Sequence, residues 1–207
     1  MIRPGVVGWP VLACTLFAAL GAPPPAAAQP IGDAARGGEL FAAKACARCH
    51  RPRGEAGVGP PIEEVRRPQG GFELAGRLWN HAPAMFAAVR EKGLEWPQVS
   101  LAEIQDLMAY LQADPARDPR PDLFRGETLL VRKGCLKCHS LKGEGGRVGP
   151  DLGERRASYG SAAAWAARMW VHTPRMAEKA REMGVLYPRF VDDEMDNLVG
   201  FLRSAAK

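Results

Sequence analysis

Two copies of one cysteine motif constrain this chain more than any other feature of its sequence. The pattern C-x-x-C-H stands at 46–50 and again at 135–139. The residue frequencies of the 207-residue chain predict far fewer than one such match by chance, so the two copies indicate an internal repeat. Self-similarity at a fixed period determines the architecture of a chain before any local pattern does. We therefore expect one folding unit that has been duplicated.

The repeat extends well beyond the cysteines. The two motifs lie 89 residues apart, and the sequence Val-Gly-Pro recurs after 90 residues, at 58–60 and 148–150. The pattern W-x-H-x-P-x-M recurs after 91 residues, at 79–85 and 170–176. Two small insertions in the second copy account for the increasing distance.

The repeat also sets the expected domain boundaries. We expect a first domain at 29–113 and a second domain at 124–207. The segment between them, 114–123, is rich in proline and is expected to form a stiff linker.

Helical periodicity opens and closes each copy, and no segment shows strand-like alternation. Ser100 and Glu103 have the spacing of a capping box, so we expect the last helix of the first domain to begin there. In the second copy Asp192 or Asp193 is expected to cap the corresponding helix.

The spacing of the cysteine motif has a chemical reason. Two thiols three residues apart on a helical turn can add to the two vinyl groups of one porphyrin, and the adjoining imidazole then faces the iron. A redox dithiol would explain the cysteines but not the repeated histidine, and a structural zinc site needs a fourth ligand that neither motif supplies. The sequence therefore predicts two covalently attached haem c groups. Their thioether bonds would be formed by Cys46, Cys49, Cys135 and Cys138.

The first 28 residues have the pattern of a secretory signal peptide. Arg3 precedes a short apolar stretch at 11–20, and three prolines and three alanines follow. We expect cleavage after Ala28, which removes Cys14 and leaves four cysteines in the mature chain. The apolar stretch is shorter than the roughly 20 residues that a membrane-spanning helix needs. The sequence thus predicts a periplasmic protein whose mature chain has no integral membrane span.

Charge is distributed unevenly along the chain. The first domain has ten basic and ten acidic side chains, whereas the second has fifteen basic and ten acidic ones. No block of Lys and Arg resembles a nucleic-acid-binding arm, so we expect no nucleic-acid partner. The basic residues that flank the second motif are expected to steer an acidic partner. They are Lys133, Lys137, Lys142 and Arg147.

Together these residues resemble the class I cytochrome c family. Its members have an N-terminal helix with a glycine and an aromatic residue, the C-x-x-C-H motif, a Gly-Pro loop, a methionine, and a C-terminal helix with an aromatic residue. The likeness covers nearly all of 29–207, twice, and implies an all-α fold of two tandem domains, each wrapped around one haem. Gly37 and Gly126 would then allow the terminal helices to approach closely, with Tyr110 and Phe201 at the crossing.

The resemblance implies roles for the residues near each iron. His50 and His139 become the proximal ligands. The carbonyl groups of Pro60 and Pro150 would accept the other N–H of each imidazole, which fixes the tautomer and raises the basicity of the ligand.

The distal ligand remains open between two residue types. Both copies have a histidine and a methionine four residues apart, His81 with Met85 and His172 with Met176, which we expect on one helical face. A thioether ligand raises the reduction potential, whereas a second imidazole lowers it. We favour Met85 and Met176, with His81 and His172 as the alternatives.

The chain departs from the family pattern in the segment before the last helix of each domain. The family methionine usually precedes a proline there, whereas this chain has Trp96-Pro97 and Tyr187-Pro188. Trp79 and Trp170 stand next to the distal residues and are expected to line the haem crevice, with ordinary core packing as the alternative.

The expected function is that of an exported dihaem c-type cytochrome, which carries single electrons between a donor and an acceptor protein as the subunit or partner of a dehydrogenase or reductase. The alternative is a dihaem enzyme, a peroxidase or a small-anion dehydrogenase, with one open or displaceable iron site. The symmetric distal pairs favour an electron-transfer protein over a catalyst. A sensor is disfavoured because no output domain accompanies the repeats.

Overall fold

The computed structural model of the chain describes residues 32–207, in which seven α-helices form the two repeats. The first repeat contains α1 (Ala34–Ala43), α2 (Ile62–Val65), α3 (Gly71–Glu91) and α4 (Leu101–Tyr110). The second contains α5 (Leu123–Arg132), α6 (Ala162–Glu182) and α7 (Glu194–Ala205). The expected all-α fold with two tandem domains is confirmed.

Side-chain caps determine where several helices begin. Asp33 accepts hydrogen bonds from the first turn of α1, and Asp122 does the same for α5. Ser100 and Glu103 form the expected capping box at the start of α4. Asp193 occupies the cap position of α7, but its carboxylate accepts a hydrogen bond from Arg125 instead of capping the helix, so that expectation was wrong for the side chain.

The first and last helices of each domain cross at a glycine. A Cβ on Gly37 would clash with the backbone carbonyl of Asp106 in α4, and a Cβ on Gly126 would clash with that of Asn197 in α7. The helices can therefore approach this closely only if these positions lack a side chain. Phe41 and Tyr110 pack at the first crossing with ring centroids 5.5 Å apart.

One strand pair interrupts the otherwise helical structure of residues 32–207. β1 (Ser140–Leu141) and β2 (Glu144–Gly145) form an antiparallel hairpin next to the second motif. The turn residues Lys142 and Gly143 both have positive φ, as tight hairpin turns require, and Asp151 accepts hydrogen bonds from both their N–H groups. Strands of two residues are too short to show alternation in the sequence.

The two domains pack against each other along α3 and α6, and their buried residues form one continuous hydrophobic core. Asn80 exchanges two hydrogen bonds with the backbone of Phe190, at 2.6 and 2.9 Å. Arg90 and Glu178 form an ion pair across the same interface, at 3.3 Å. The duplicated units therefore share one hydrophobic core and are not two independent domains joined only by a linker.

The linker packs on the first domain. Asp114 caps a 3-10 turn at Pro115–Arg117, and the carboxylate of Asp118 accepts a 2.9 Å hydrogen bond from the N–H of Phe72, at the start of α3. Burial raises the pKa of the Asp118 carboxyl to about 6. The expected stiff spacer is thus also a contact surface for α3.

The expected signal peptide, including Cys14, lies outside the described residues. Gly32, the first of them, lies so close to α4 that a Cβ there would clash with the backbone of Gln105. Between residues 32 and 207, no helix is both long enough and apolar enough to cross a bilayer.

Candidate haem-binding sites

Each domain has a largely apolar crevice beside its cysteine motif and its long helix. The cavity in the first crevice measures about 350 Å³, and the one in the second about 70 Å³. The first crevice is lined by both motif cysteines and by His50, Pro60, His81 and Met85. The second is lined by Cys135, His139, Pro150, Met169, His172 and Met176. The fold therefore gathers most of the site residues predicted from the sequence at these two crevices.

The motif itself forms one tight turn in each domain. The residue before the first cysteine has a left-handed backbone, with φ of 63° at Ala45 and 72° at Gly134. The N–H of each motif histidine then donates to the carbonyl of the first cysteine, at 3.0 Å in both domains. This turn holds two thiols and one imidazole together, which is the arrangement that covalent haem attachment needs.

The Gly-Pro loop fixes the orientation of each motif histidine. Nδ1 of His50 lies 3.0 Å from the carbonyl oxygen of Pro60, and Nδ1 of His139 lies 2.9 Å from that of Pro150. A carbonyl oxygen can only accept, so Nδ1 carries the proton and Nε2 keeps a free lone pair for a metal. A Cβ on Gly59 or on Gly149 would clash with the imidazole ring. The residues present therefore fit a proximal iron ligand.

The thiols lie in surroundings that suit thioether bonds better than a dithiol redox centre. Burial raises the pKa of the Cys46 and Cys135 thiols to about 11. Reactive cysteines instead have lowered pKa values and lie in electropositive, partly exposed sites. Within 32–207, no group of three or more His, Cys, Asp or Glu side chains is arranged to hold a metal ion by itself.

Both members of each distal pair line their crevice, so the geometry leaves the choice between them open. His81 and Met85 lie one turn apart on α3 and face the first crevice, and His172 and Met176 on α6 face the second. Nδ1 of His81 donates to the carbonyl oxygen of Arg77, at 2.8 Å. Nδ1 of His172 is buried and makes no hydrogen bond of standard geometry among the described residues, although the carbonyl of Arg168, which matches that of Arg77, lies near enough to raise the pKa of His172.

Charge also differs around the two distal histidines. Burial lowers the pKa of His172, and the positive charges of Arg168 and Arg175 lower it further. Arg168 and Arg155 line the second crevice. The first crevice has Arg77, Lys44 and the carboxylate of Glu95 in its lining.

The two tryptophans line crevices, but each lines the crevice of the other domain. Trp79 belongs to the first domain and lies against the second crevice, whereas Trp170 belongs to the second domain and lies against the first. Trp79 donates a hydrogen bond to the carbonyl of Pro188 at 2.7 Å, and Trp170 donates to that of Pro97 at 2.8 Å. This exchange was not expected from the sequence.

Sequence reasoning missed several crevice residues. Tyr159 and Trp165 line the second crevice and are buried, and Trp96 lines the first. Arg77 was missed as well; it stands four residues before His81, as Arg168 does before His172, on the same helical face. The repeat could have indicated these arginines, because Arg77 and Arg168 are 91 residues apart, as are His81 and His172.

A family model described as cytochrome c matches residues 34–113 and, a second time, residues 124–206. Each matched stretch contains one cysteine motif and one distal pair. No curated protein and no solved structure matches the chain.

Proposed function

The chain belongs to the cytochrome c family, with two such domains that serve haem-based electron transfer, and we propose that it is an exported dihaem carrier of single electrons. Each chain binds two haem c groups, both irons have six ligands, and the protein acts outside the cytoplasm between a donor and an acceptor protein.

The observation that supports this proposal most strongly is that both domains keep a complete set of ligand residues. Each has a C-x-x-C-H turn, a histidine whose Nδ1–H donates to a proline carbonyl, and a histidine–methionine pair that faces the crevice. A carrier needs two strong axial ligands at every iron, because neither iron has to bind a substrate. An enzyme would need an open position at one of them.

The chain contributes attachment, ligation and exclusion of water. Cys46 and Cys49 hold one haem, and Cys135 and Cys138 hold the other. His50 and His139 are the proximal ligands, and the apolar lining of each crevice keeps water from the metal. Bound haem supplies an iron that changes between the ferrous and ferric states, so no other redox-active group is required.

We assign the distal positions to Met85 and Met176. A thioether stabilises ferrous iron and gives the high potential that a carrier between high-potential partners needs. His81 and His172, one helical turn away, are the alternative ligands. Met183 is a poorer choice because its sulfur lies 4.0 Å from that of Cys138, and the first domain has Lys92 at the matched position.

The second domain offers the better docking surface for an acidic redox partner. Lys137, Lys142 and Arg147 are exposed and form no ion pair within residues 32–207. Lys133 does not belong to this surface, because its ammonium group binds Glu194 and the carbonyl of Arg189. Exposed basic side chains around a haem edge attract an acidic protein and accelerate its association.

The dihaem enzyme remains the second candidate, and one observation favours it. Arg155 and Arg168 line the second crevice together with His172, and no carboxylate from residues 32–207 lines it. Such a crevice would attract a small anion if the sixth ligand at that iron were displaced.

The ferric holoprotein tests the proposal through its visible and far-red absorption. We expect two haems per chain in a haemochrome assay and two equivalents of the methionine-to-iron charge-transfer band. Met85→Ala and Met176→Ala should each remove one equivalent, whereas the control Met183→Leu should keep both.

Other outcomes contradict particular parts of the proposal. Low-spin iron without the band would transfer the distal role to His81 and His172. A high-spin fraction in the unaltered protein would contradict a carrier and favour the enzyme. Export is tested separately, because the purified mature protein should begin at Gln29 when its N-terminus is sequenced.

A further inference from the structure

At the interface between α3 and α6, each domain contributes a tryptophan to the haem crevice of the other domain. The long helix of each domain presents a tryptophan, and the segment before the last helix of the other domain receives it. Trp79 meets Tyr187 and Pro188, and Trp170 meets Trp96 and Pro97. The two sets are related by the repeat, so the interface has approximate twofold symmetry at the level of residues.

A proline inside each long helix frees one backbone carbonyl that the exchange uses. Pro83 and Pro174 have no N–H, so each leaves the carbonyl four residues earlier without its helical partner. Those carbonyls belong to Trp79 and Trp170. The hydroxyl of Tyr187 donates to the first at 3.3 Å, and Nε1 of Trp96 donates to the second at 3.2 Å.

Each tryptophan is therefore held by the other domain at two points, its indole N–H and its own carbonyl. The rings are also stacked. Trp170 lies on Trp96 with centroids 4.3 Å apart, and Trp79 lies on Tyr187 at 5.3 Å and nearly parallel to Trp165 at 6.4 Å. With the hydrogen bonds and the stacking both satisfied, the indoles have little freedom to leave the crevice walls.

Packing at the interface alone does not account for this arrangement. A residue that serves only the interface has no need to line a crevice, yet Trp79 lines the one that contains His139 and Met176, and Trp170 lines the one that contains His50 and Met85. We propose that Trp79 contacts the haem of the second domain and Trp170 the haem of the first, so that each domain completes the haem site of its neighbour. The inference rests on the proposed function, since it requires two haems.

Nuclear magnetic resonance of the fully reduced, diamagnetic holoprotein tests this exchange directly. The thioether methyl protons identify each haem through their Overhauser contacts with the attached cysteines. We expect the indole protons of Trp79 to show such contacts with the haem on Cys135 and Cys138, and those of Trp170 with the haem on Cys46 and Cys49. Contacts within the same domain, or none with either haem, would overturn the proposal.

The variants Trp79→Phe and Trp170→Phe are matched controls for each other. Each should shift the meso-proton resonances of the haem in the opposite domain most strongly, because an indole ring current is lost there. Larger shifts at the haem of the same domain would overturn the assignment, and the spectrum of the unaltered protein decides the question should either variant fail to fold. A haemochrome assay that gives fewer than two haems would instead refute the proposed function.

Discussion

The cavity in the first crevice is about 350 Å³ and that in the second about 70 Å³, although equivalent helices enclose both. The second crevice contains Trp165 where the first has Leu74, and the buried ring of Tyr159 adds to its wall. The larger aromatic side chains fill space and exclude more water. The second crevice is therefore the more tightly packed of the two.

Charge separates the two crevices further. Arg155 and Arg168 line the second, to which the described residues contribute no carboxylate. The lining of the first combines Arg77 and Lys44 with the carboxylate of Glu95, so the second has the larger net positive charge. Ferric iron carries one more positive charge than ferrous iron, so nearby cations favour the reduced state and nearby anions the oxidised one. Duplication therefore kept the candidate ligand residues but changed their surroundings. We expect electrons to pass from the first haem to the second.

Both domains have a close crossing of their first and last helices. A substitution at this crossing should have the largest effect on stability. In Gly37→Ala the new methyl group meets the carbonyl of Asp106, which cannot move without displacing α4. We expect a loss of about 3 kcal/mol in the free energy of unfolding, measured by urea titration of the holoprotein.

The neighbouring variant Gly38→Ala is the matched control. Its methyl group would meet only the ring of Tyr110, at 3.2 Å, so we expect a change within about 1 kcal/mol. Equal losses in the two variants would show that the crossing is not as tight as described.

The next two substitutions compare the hydrogen bonds that the carbonyls of Trp79 and Trp170 accept from the other domain. Tyr187→Phe removes only a hydroxyl and leaves the carbonyl of Trp79 unpaired, which should cost about 1 kcal/mol. Trp96→Phe removes the equivalent donor and also weakens the stack on Trp170, so we expect about 2 kcal/mol. Thermal unfolding of both holoproteins measures the difference. A greater loss in Tyr187→Phe would contradict the account.

The cysteine motifs, the helical crossings and the contacts of His50 and His139 with the Gly-Pro loops could be predicted because covalent and steric chemistry ties them to fixed spacings. The exchange of Trp79 and Trp170 could not, since periodicity identifies an apolar face but not the domain that covers it. Pro83 normally indicates a helix end, yet α3 continues to Glu91 because Tyr187 satisfies the freed carbonyl. The unequal size of the crevices likewise depends on how Trp165 and Tyr159 pack in three dimensions.

A smaller effect concerns an acidic position that only the second domain has. Asp196 lies where the first domain has Gln105, and burial together with the charge of Asp118 raises its pKa to about 7. A carboxyl with a raised pKa binds its proton more tightly in the folded state, so its contribution favours folding below about pH 4 and is lost as the pH rises through 7. Asp196→Asn should therefore raise the melting temperature at pH 8 more than at pH 4. An unchanged pH dependence would show that this carboxyl does not titrate in that range.

The smallest effects separate structural from docking lysines. Lys133→Ala should cost about 1 kcal/mol, since it breaks a partly buried ion pair with Glu194. Lys142→Ala should leave stability within about 0.5 kcal/mol but slow the reaction with an anionic redox reagent at low salt. The control Lys92→Ala, on the exposed surface of the first domain, should leave that rate closer to its original value. Equal rates in the two variants would contradict a preferred docking surface on the second domain.

A potentiometric titration of the intact holoprotein, with each haem identified by the resonances of its thioether methyl groups, would measure the difference between the two sites. We expect two resolved one-electron steps, with the haem on Cys135 and Cys138 reduced at the higher potential. A separation of about 60 mV corresponds to a tenfold preference for that haem. Coincident potentials, or a higher potential at the haem on Cys46 and Cys49, would contradict the claim that the two sites have diverged in this direction.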